Sequence, residues 1–278
     1  MQSGYYNSVG GMVTQFHRLD MISHNLANVT TNGFKRDDVV IGDFMRLYEQ
    51  HKEELPLRNH TKEAARFLNR SMDRVPSIVE EYTDRSIGSI TPTENRFNFA
   101  LQNDNAYFMI ETPEGIRYTR DGSFILNENG RLVTKEGFAV LPREYLGGPQ
   151  YIDIPDGVVL EADGNGNLYT RTINNEALGE VIPLGNIAVA SFENPKYLKK
   201  IGANLYKYPE ERLANDRVLL ENSKAVLQGY IEKSNVNAVW EMTGLIETNR
   251  LVDMYSKVMK SHMDDLNSEA INKLAMKA

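Results

Sequence analysis

Residues 241–274 read EMTGLIETNRLVDMYSKVMKSHMDDLNSEAINKL. Leu245, Val252, Met259 and Leu266 fall seven apart in this stretch, and Met242, Met263, Ala270 and Leu274 fill in the same stripe. No proline interrupts it. The pattern predicts one long helix that begins between Val236 and Trp240, capped by Ser234, Asn235 or Asn237, and continues toward the chain end. A narrow apolar edge of this kind suits a helix that lies along other helices.

The other end of the chain carries a matching edge. Val9, Met12, Phe16, Leu19 and Leu26 recur three and four residues apart, with Ser23 the only polar residue in the series. A helix from about Tyr5 to Ala27 is expected, ended by Asn28-Val29-Thr30-Thr31-Asn32-Gly33, where β-branched threonines and an Asn-Gly pair favour turns. Phe34 to Ile41 then reads as a departing strand. Phe44 to Val79 is a charged connector in which Lys62 to Met72 fits a short amphipathic helix. It reads either as a solvated connector or as a polar docking surface, being too long for an ordinary loop.

From about Ser86 to Leu205 the period changes to two. Asp121-Gly122, Asn129-Gly130, Asp156-Gly157 and Asn165-Gly166 punctuate short apolar runs, which predicts a largely antiparallel β-domain. The expected fold class is therefore α+β: long N- and C-terminal helices pairing as a coiled-coil-like core, with a central, mostly antiparallel β-domain. Its expected divisions are 1–35 (N-terminal helix), 36–85 (connector), 86–210 (β-domain), 211–235 (return segment) and 236–278 (C-terminal helix).

Composition narrows the function. With 278 residues, 41% of them hydrophobic, the chain can bury a substantial core. A mean hydropathy of −0.45 and the lack of any eighteen-residue apolar run argue against a membrane span, and the polar start Met1-Gln2-Ser3-Gly4 lacks the features of a Sec signal. The formal charge of −7, with both signs interleaved, argues against a nucleic-acid partner. Absence of cysteine removes disulfides and thiolate chemistry.

Catalytic constellations are incomplete. The histidines His17, His24, His51, His60 and His262 form no H-E-x-x-H motif, and no G-x-S-x-G elbow is present. Asp163-Gly164-Asn165-Gly166-Asn167 begins like a calcium loop, but Leu168 stands where glycine is required and Asn174 where glutamate would close it. It reads better as a hairpin turn. No catalytic, cofactor or metal-ligating residue is expected, nor a small-molecule substrate.

Three sets of residues resemble the flagellar rod and hook axial proteins, and among them the FlgF/FlgG rod family. The run Ser23-His24-Asn25-Leu26-Ala27-Asn28-Val29-Thr30-Thr31-Asn32-Gly33-Phe34-Lys35-Arg36 is similar to the family's N-terminal signature, with His24 where asparagine is usual. Gly229-Tyr230-Ile231-Glu232-Lys233-Ser234-Asn235-Val236-Asn237, then Glu241-Met242-Thr243 and Ile246-Glu247-Thr248-Asn249-Arg250, resemble the C-terminal segment. Tyr118-Thr119-Arg120-Asp121-Gly122-Ser123-Phe124 and Ile201-Gly202-Ala203-Asn204-Leu205 match in the middle. Met259 to Leu274 resembles the proximal-rod type FlgF more than the distal-rod type FlgG, whereas Asn103-Asp104-Asn105-Ala106 and the segment 44–79 depart from the pattern.

The resemblance implies a structural subunit, not an enzyme, of a helical, tubular rod that crosses the periplasm as part of the basal body. It implies partners among its own copies, other flagellar rod proteins and the flagellar type III export apparatus, with export independent of a cleaved Sec signal. Terminal helices would line the channel, with the β-domain facing outward. On this reading Val9, Met12, Phe16, Leu19, Leu26, Met242, Leu245, Val252, Met259 and Leu266 form the subunit seam. Asn25, Asn28, Thr31, Gly33, Asn235 and Asn237 shape the bends, and Leu26, Ala27, Phe34, Ser234, Val236, Glu241, Met242 and Arg250 complete the motifs. The competing readings are a distal-rod or hook-type axial protein and, from another class, a secreted binding protein whose helical tails dimerise it.

Overall fold

A computed structural model describes residues 2–43, 76–147, 150–155, 157–174, 177–221 and 225–275. Its helices are α1 (Gln2–Ala27), the short α2 (Glu210–Asp216) and α3 (Ala238–Ala275). At ~1.5 Å per residue, α1 is about 39 Å long and α3 about 57 Å. The chain divides into two compact units: residues 1–27, 37–84 and 237–278 form one, and residues 28–36 and 85–236 form the other.

In the first unit α1 and α3 lie antiparallel. Gly11 sits under the Tyr255 ring, where a Cβ would come within 2.6 Å of Cε1, and a Cβ at Gly244 would lie 3.4 Å from Ile22 Cδ1. Both pairs fix one register, which places Gln2 level with Asp264. Residues 265–275 of α3 therefore run past the start of α1 by about 16 Å at ~1.5 Å per residue. An antiparallel ribbon, Asp37–Asp43 with Pro76–Thr83, packs beside α1, and Thr14 Oγ1 donates to Pro76 O at 2.8 Å. The predicted helical piece Lys62 to Met72 lies outside the described residues.

The expected α+β fold with a coiled-coil-like core is corrected here. The buried positions of α1 are Ser8, Gly11, Thr14, Gln15, Ile22 and Asn25, and those of α3 are Glu241 and Thr248. The helix contact sets glycines against large side chains, Gly11 under Tyr255 and Gly244 against Ile22, and the other buried positions are mostly polar, so little hydrophobic core forms here. The apolar stripe of α1 falls one position later on successive turns, about 100° around the helix. Phe16 and Met242 are exposed, and Val9, Met12, Leu19, Leu26, Leu245, Val252, Met259 and Leu266 are only half-buried.

The hydrophobic core lies in the second unit, a β-rich body whose strand pairs are all antiparallel among the described residues. Its centre is strand Ala106–Thr112, which pairs with Gly115–Thr119, Ala139–Val140 and Val189–Phe192 in a nine-stranded sheet. Side chains alternate across that strand. Ala106, Phe108 and Ile110 enter a cluster with Phe99, Phe124 and Ile187, while Tyr107 and Met109 join Tyr118, Phe192, Tyr206 and Tyr208 on the other face. The ring pairs Phe108–Phe124 and Tyr118–Phe192 meet edge to face. A second sheet contains Val158–Ala162, Asn167–Asn174 and Ala177–Asn186 in that order.

The predicted Asn129-Gly130 and Asn165-Gly166 turns both join adjacent strands. Asp163 Oδ1 accepts Asn165 N and Asn167 N, both at 2.9 Å, so the calcium-like sequence forms a hairpin turn. Asp121-Gly122 plays a different part. A Cβ at Gly122 would stand 1.8 Å from Phe99 O, so glycine there serves close strand approach.

Candidate assembly surface and linker clamp

The motif residues build two local structures. In the helical unit, the Asn25 carboxamide brackets Asp37: Nδ2 donates to Asp37 O at 2.7 Å, and Oδ1 accepts Asp37 N at 3.0 Å. Asn237 caps α3, accepting Val239 N at 3.0 Å and Trp240 N at 3.3 Å on Oδ1. Glu241 is buried in the first turn, whereas Ala27 and Arg250 are exposed.

In the β-rich unit, the inbound segment 28–36 and the outbound segment 229–236 are stitched together. Thr31 Oγ1 donates to Asn28 Oδ1 at 3.1 Å, closing the turn after α1. Gly33 N donates to Glu232 O at 2.8 Å, Arg36 N to Asn235 Oδ1 at 2.7 Å, and Asn235 Nδ2 to Ser86 O at 3.2 Å. Gly33 has φ +66°, and a Cβ there would stand 2.4 Å from Arg120 C, so it meets both a left-handed backbone and a wall. Phe34 is buried beneath the Lys200 ammonium, 4.1 Å from its ring centroid. Ser234 Oγ accepts Val236 N at 3.2 Å, and Val236 is itself buried. The family-like turn Ala203-Asn204 has two residues at positive φ, and Asn204 Nδ2 donates to Asn32 O at 2.7 Å.

Beneath these contacts lies a buried triad that sequence reasoning passed over. Glu232 Oε1 accepts Lys35 Nζ at 2.5 Å and Gly88 N at 2.9 Å, and Oε2 accepts Arg120 Nη2 at 2.6 Å and Nε at 2.9 Å. All three side chains are at most 1% exposed. The cations are saturated elsewhere too: Lys35 Nζ donates to Ser86 O, and Arg120 Nη1 to Asn103 O and Ala106 O. Two buried cations share one carboxylate, so each depends on these acceptors. Burial, with Arg120 close by, pushes the Lys35 ammonium below its ordinary range, and Glu232 partly offsets this. The signal was available: each charge sits inside a different family-like motif.

The helical unit presents a different surface. Trp240 is 78% exposed and Val239 71%, joined by Met242, Ile246 and Met254, with Phe16 on α1. Exposed apolar side chains in this number make the helical pair the candidate contact surface. No helix among the described residues is long and apolar enough to cross a membrane.

Residues 6–35 match a profile described as flagella basal body rod protein, residues 103–176 the flagellar hook protein FlgE/F/G D1 domain, and residues 227–273 the flagellar basal body rod FlgEFG protein C-terminal region. The flagellar basal-body rod protein FlgG of Buchnera aphidicola subsp. Acyrthosiphon pisum is 32% identical over 260 residues, covering 89% of this chain and 90% of that one. The rod protein FlgF of Mesorhizobium japonicum is 30% identical over 282 residues, covering all of both chains. FlgG of Bacillus subtilis is 28% identical over 98% of this chain and 99% of its own. Similarity of this extent to both kinds attaches to the rod type as a whole and disfavours a secreted binding protein with dimerising tails.

Proposed function

The chain belongs to the flagellar basal-body rod family, structural components of the flagellum, and from that premise we propose that it polymerises through its terminal helices into a tubular shaft. Its partners are its own copies and neighbouring rod proteins. The rod crosses the periplasm, the helices build the inner wall of the tube, and the subunit arrives through the flagellar type III export apparatus without a cleaved Sec signal. The observation that carries this reading is the division of apolar surface: the β-rich unit buries two large clusters, while among the described large apolar side chains of α1 and α3 only Ile22 is buried and the rest are half-buried or exposed. Contacts with several neighbouring helices supply what the pair lacks. One patch must meet a different patch on the next copy, because only such contacts propagate as an open helix.

The seam in this proposal consists of Val9, Met12, Phe16, Leu19 and Leu26 with Met242, Leu245, Val252, Met259 and Leu266. Asn25, Asn28, Thr31, Gly33, Asn235 and Asn237 hold the bends that aim the helices. Leu245→Asp and Leu266→Asp test the seam: each is expected to be absent from purified basal bodies and to leave cells non-motile, while the β-rich unit retains its folded circular dichroism. Normal incorporation of both variants would overturn the proposal.

A further inference from the structure

Distant parts of the chain converge on the buried carboxylate of Glu232. Lys35 reaches it from the segment after α1, Arg120 from the end of strand Gly115–Thr119, and Gly88 through its backbone N–H. Arg120 also donates to Leu101 O, Asn103 O and Ala106 O, and so holds the turn that leads into the central strand. Those carbonyls carry no net charge. Asp104, another carboxylate that acts on Lys35, stands exposed on that turn. Among the described residues, Glu232 alone pairs with both buried cations.

The segment that carries Glu232 also completes the core. Val226–Gln228 pairs with Phe99–Leu101, a strand at most 1% exposed, and Tyr230–Glu232 pairs with Ile90–Pro92. The Gln228 carboxamide accepts Ala162 N at 2.7 Å and donates to Leu160 O at 3.0 Å, which ties in the second sheet. Without residues 225–232, a closed unit would bury two cations with no anion and leave the backbone of Phe99–Leu101 unpaired in an apolar cluster. Both are costly.

We propose that Glu232 gates the closing of the β-rich unit. The core around strand Ala106–Thr112 packs only when the return segment delivers this carboxylate, although every strand of the nine-stranded sheet lies before Leu220. Lys35 precedes Glu232 by 197 residues, so in synthesis at ~5–20 residues per second the cation exists for about 10–40 s before its partner. The delay keeps an otherwise finished sheet from closing with a bare edge at Phe99–Leu101, which a second chain could pair with. This inference does not depend on the rod reading.

Pulsed hydrogen exchange during refolding of the full wild-type chain from urea tests the gate. Gly33 N and Gly88 N, which both donate to Glu232, are expected to gain protection in the same phase as the amides of Ala106–Thr112. Protection of the strand ahead of the two glycines overturns the proposal. Glu232→Gln keeps the shape and removes the charge. It is expected to slow refolding at least tenfold while changing the unfolding rate less than threefold, as a contact made at the closing step requires. Adding Lys35→Met, which removes one stranded cation, is expected to recover part of that rate. Refolding of Glu232→Gln at the wild-type rate, or no recovery with Lys35→Met, overturns the proposal. If Glu232→Gln does not fold, cell-free synthesis of the wild-type chain quenched into protease decides alongside the pulse experiment. Chains shorter than 232 residues are expected to be degraded throughout, and a protected core fragment from chains ending between residues 220 and 231 overturns the gate.

Discussion

Phe108 and Trp240 are both large aromatic residues, yet the first is wholly buried in the β-rich unit and the second is 78% exposed on α3. The contrast extends to their surroundings. Phe108 stands in a strand whose two faces both enter apolar clusters, closed beneath by a saturated charge triad. Trp240 stands on a helix whose partner presents Ser8, Gly11 and Gln15 as buried positions. One unit completes its own core, and on the proposed reading the other keeps its apolar surface for a neighbour. On that reading, a subunit that travels singly and functions as a polymer gains from the division, its helices being stabilised chiefly by neighbouring copies.

The contrast is broken most sharply at Glu232. Glu232→Ala strands two buried cations and is expected to destabilise the β-rich unit by about 3–5 kcal/mol, measured by urea unfolding of the full chain. Equal truncations in the two regions then separate them. Phe108→Ala is expected to destabilise the isolated monomer by about 3–5 kcal/mol, and Met242→Ala to stay within about 0.5 kcal/mol while impairing rod assembly. Asn237→Ala removes the cap of α3, an effect of about 1 kcal/mol, visible as weaker helical circular dichroism.

A graded effect of pH sharpens the same comparison. Burial raises the phenol pKa values of Tyr107, Tyr118 and Tyr208, the last also through its bond to Asp216. A raised acid keeps its proton in the folded state, so this contribution is intact below about pH 10 and is lost as pH climbs through the folded values. Lys35 acts oppositely, since its lowered pKa favours the fold increasingly up to about pH 10.5. The tyrosines outnumber it. Near-ultraviolet circular dichroism is expected to show the aromatic clusters loosening above pH 10, with no such loss between pH 7 and 9.

The helices and most turns were legible because their signals are local: heptad spacing from Leu245 to Leu266, and Asn-Gly pairs where strands reverse. The helix contact was not. Ser8, Gly11, Gln15 and Thr248 look like a solvent face, so the apolar stripe beside them suggested a coiled-coil-like pairing of the two helices that the structure does not have. The triad was illegible for another reason. Lys35, Arg120 and Glu232 are each ordinary charged letters, and only the return of the chain over 197 residues brings the first to the last. Family-like motifs marked all three segments without revealing that they converge on one carboxylate.

Native-state hydrogen exchange on the dilute monomer tests the central claim most directly. Slow exchange is predicted for strand Ala106–Thr112 and its neighbours, and fast exchange for α1 and α3, which become protected only in assembled rods. Helices as well protected as the sheet in the isolated chain would contradict the account.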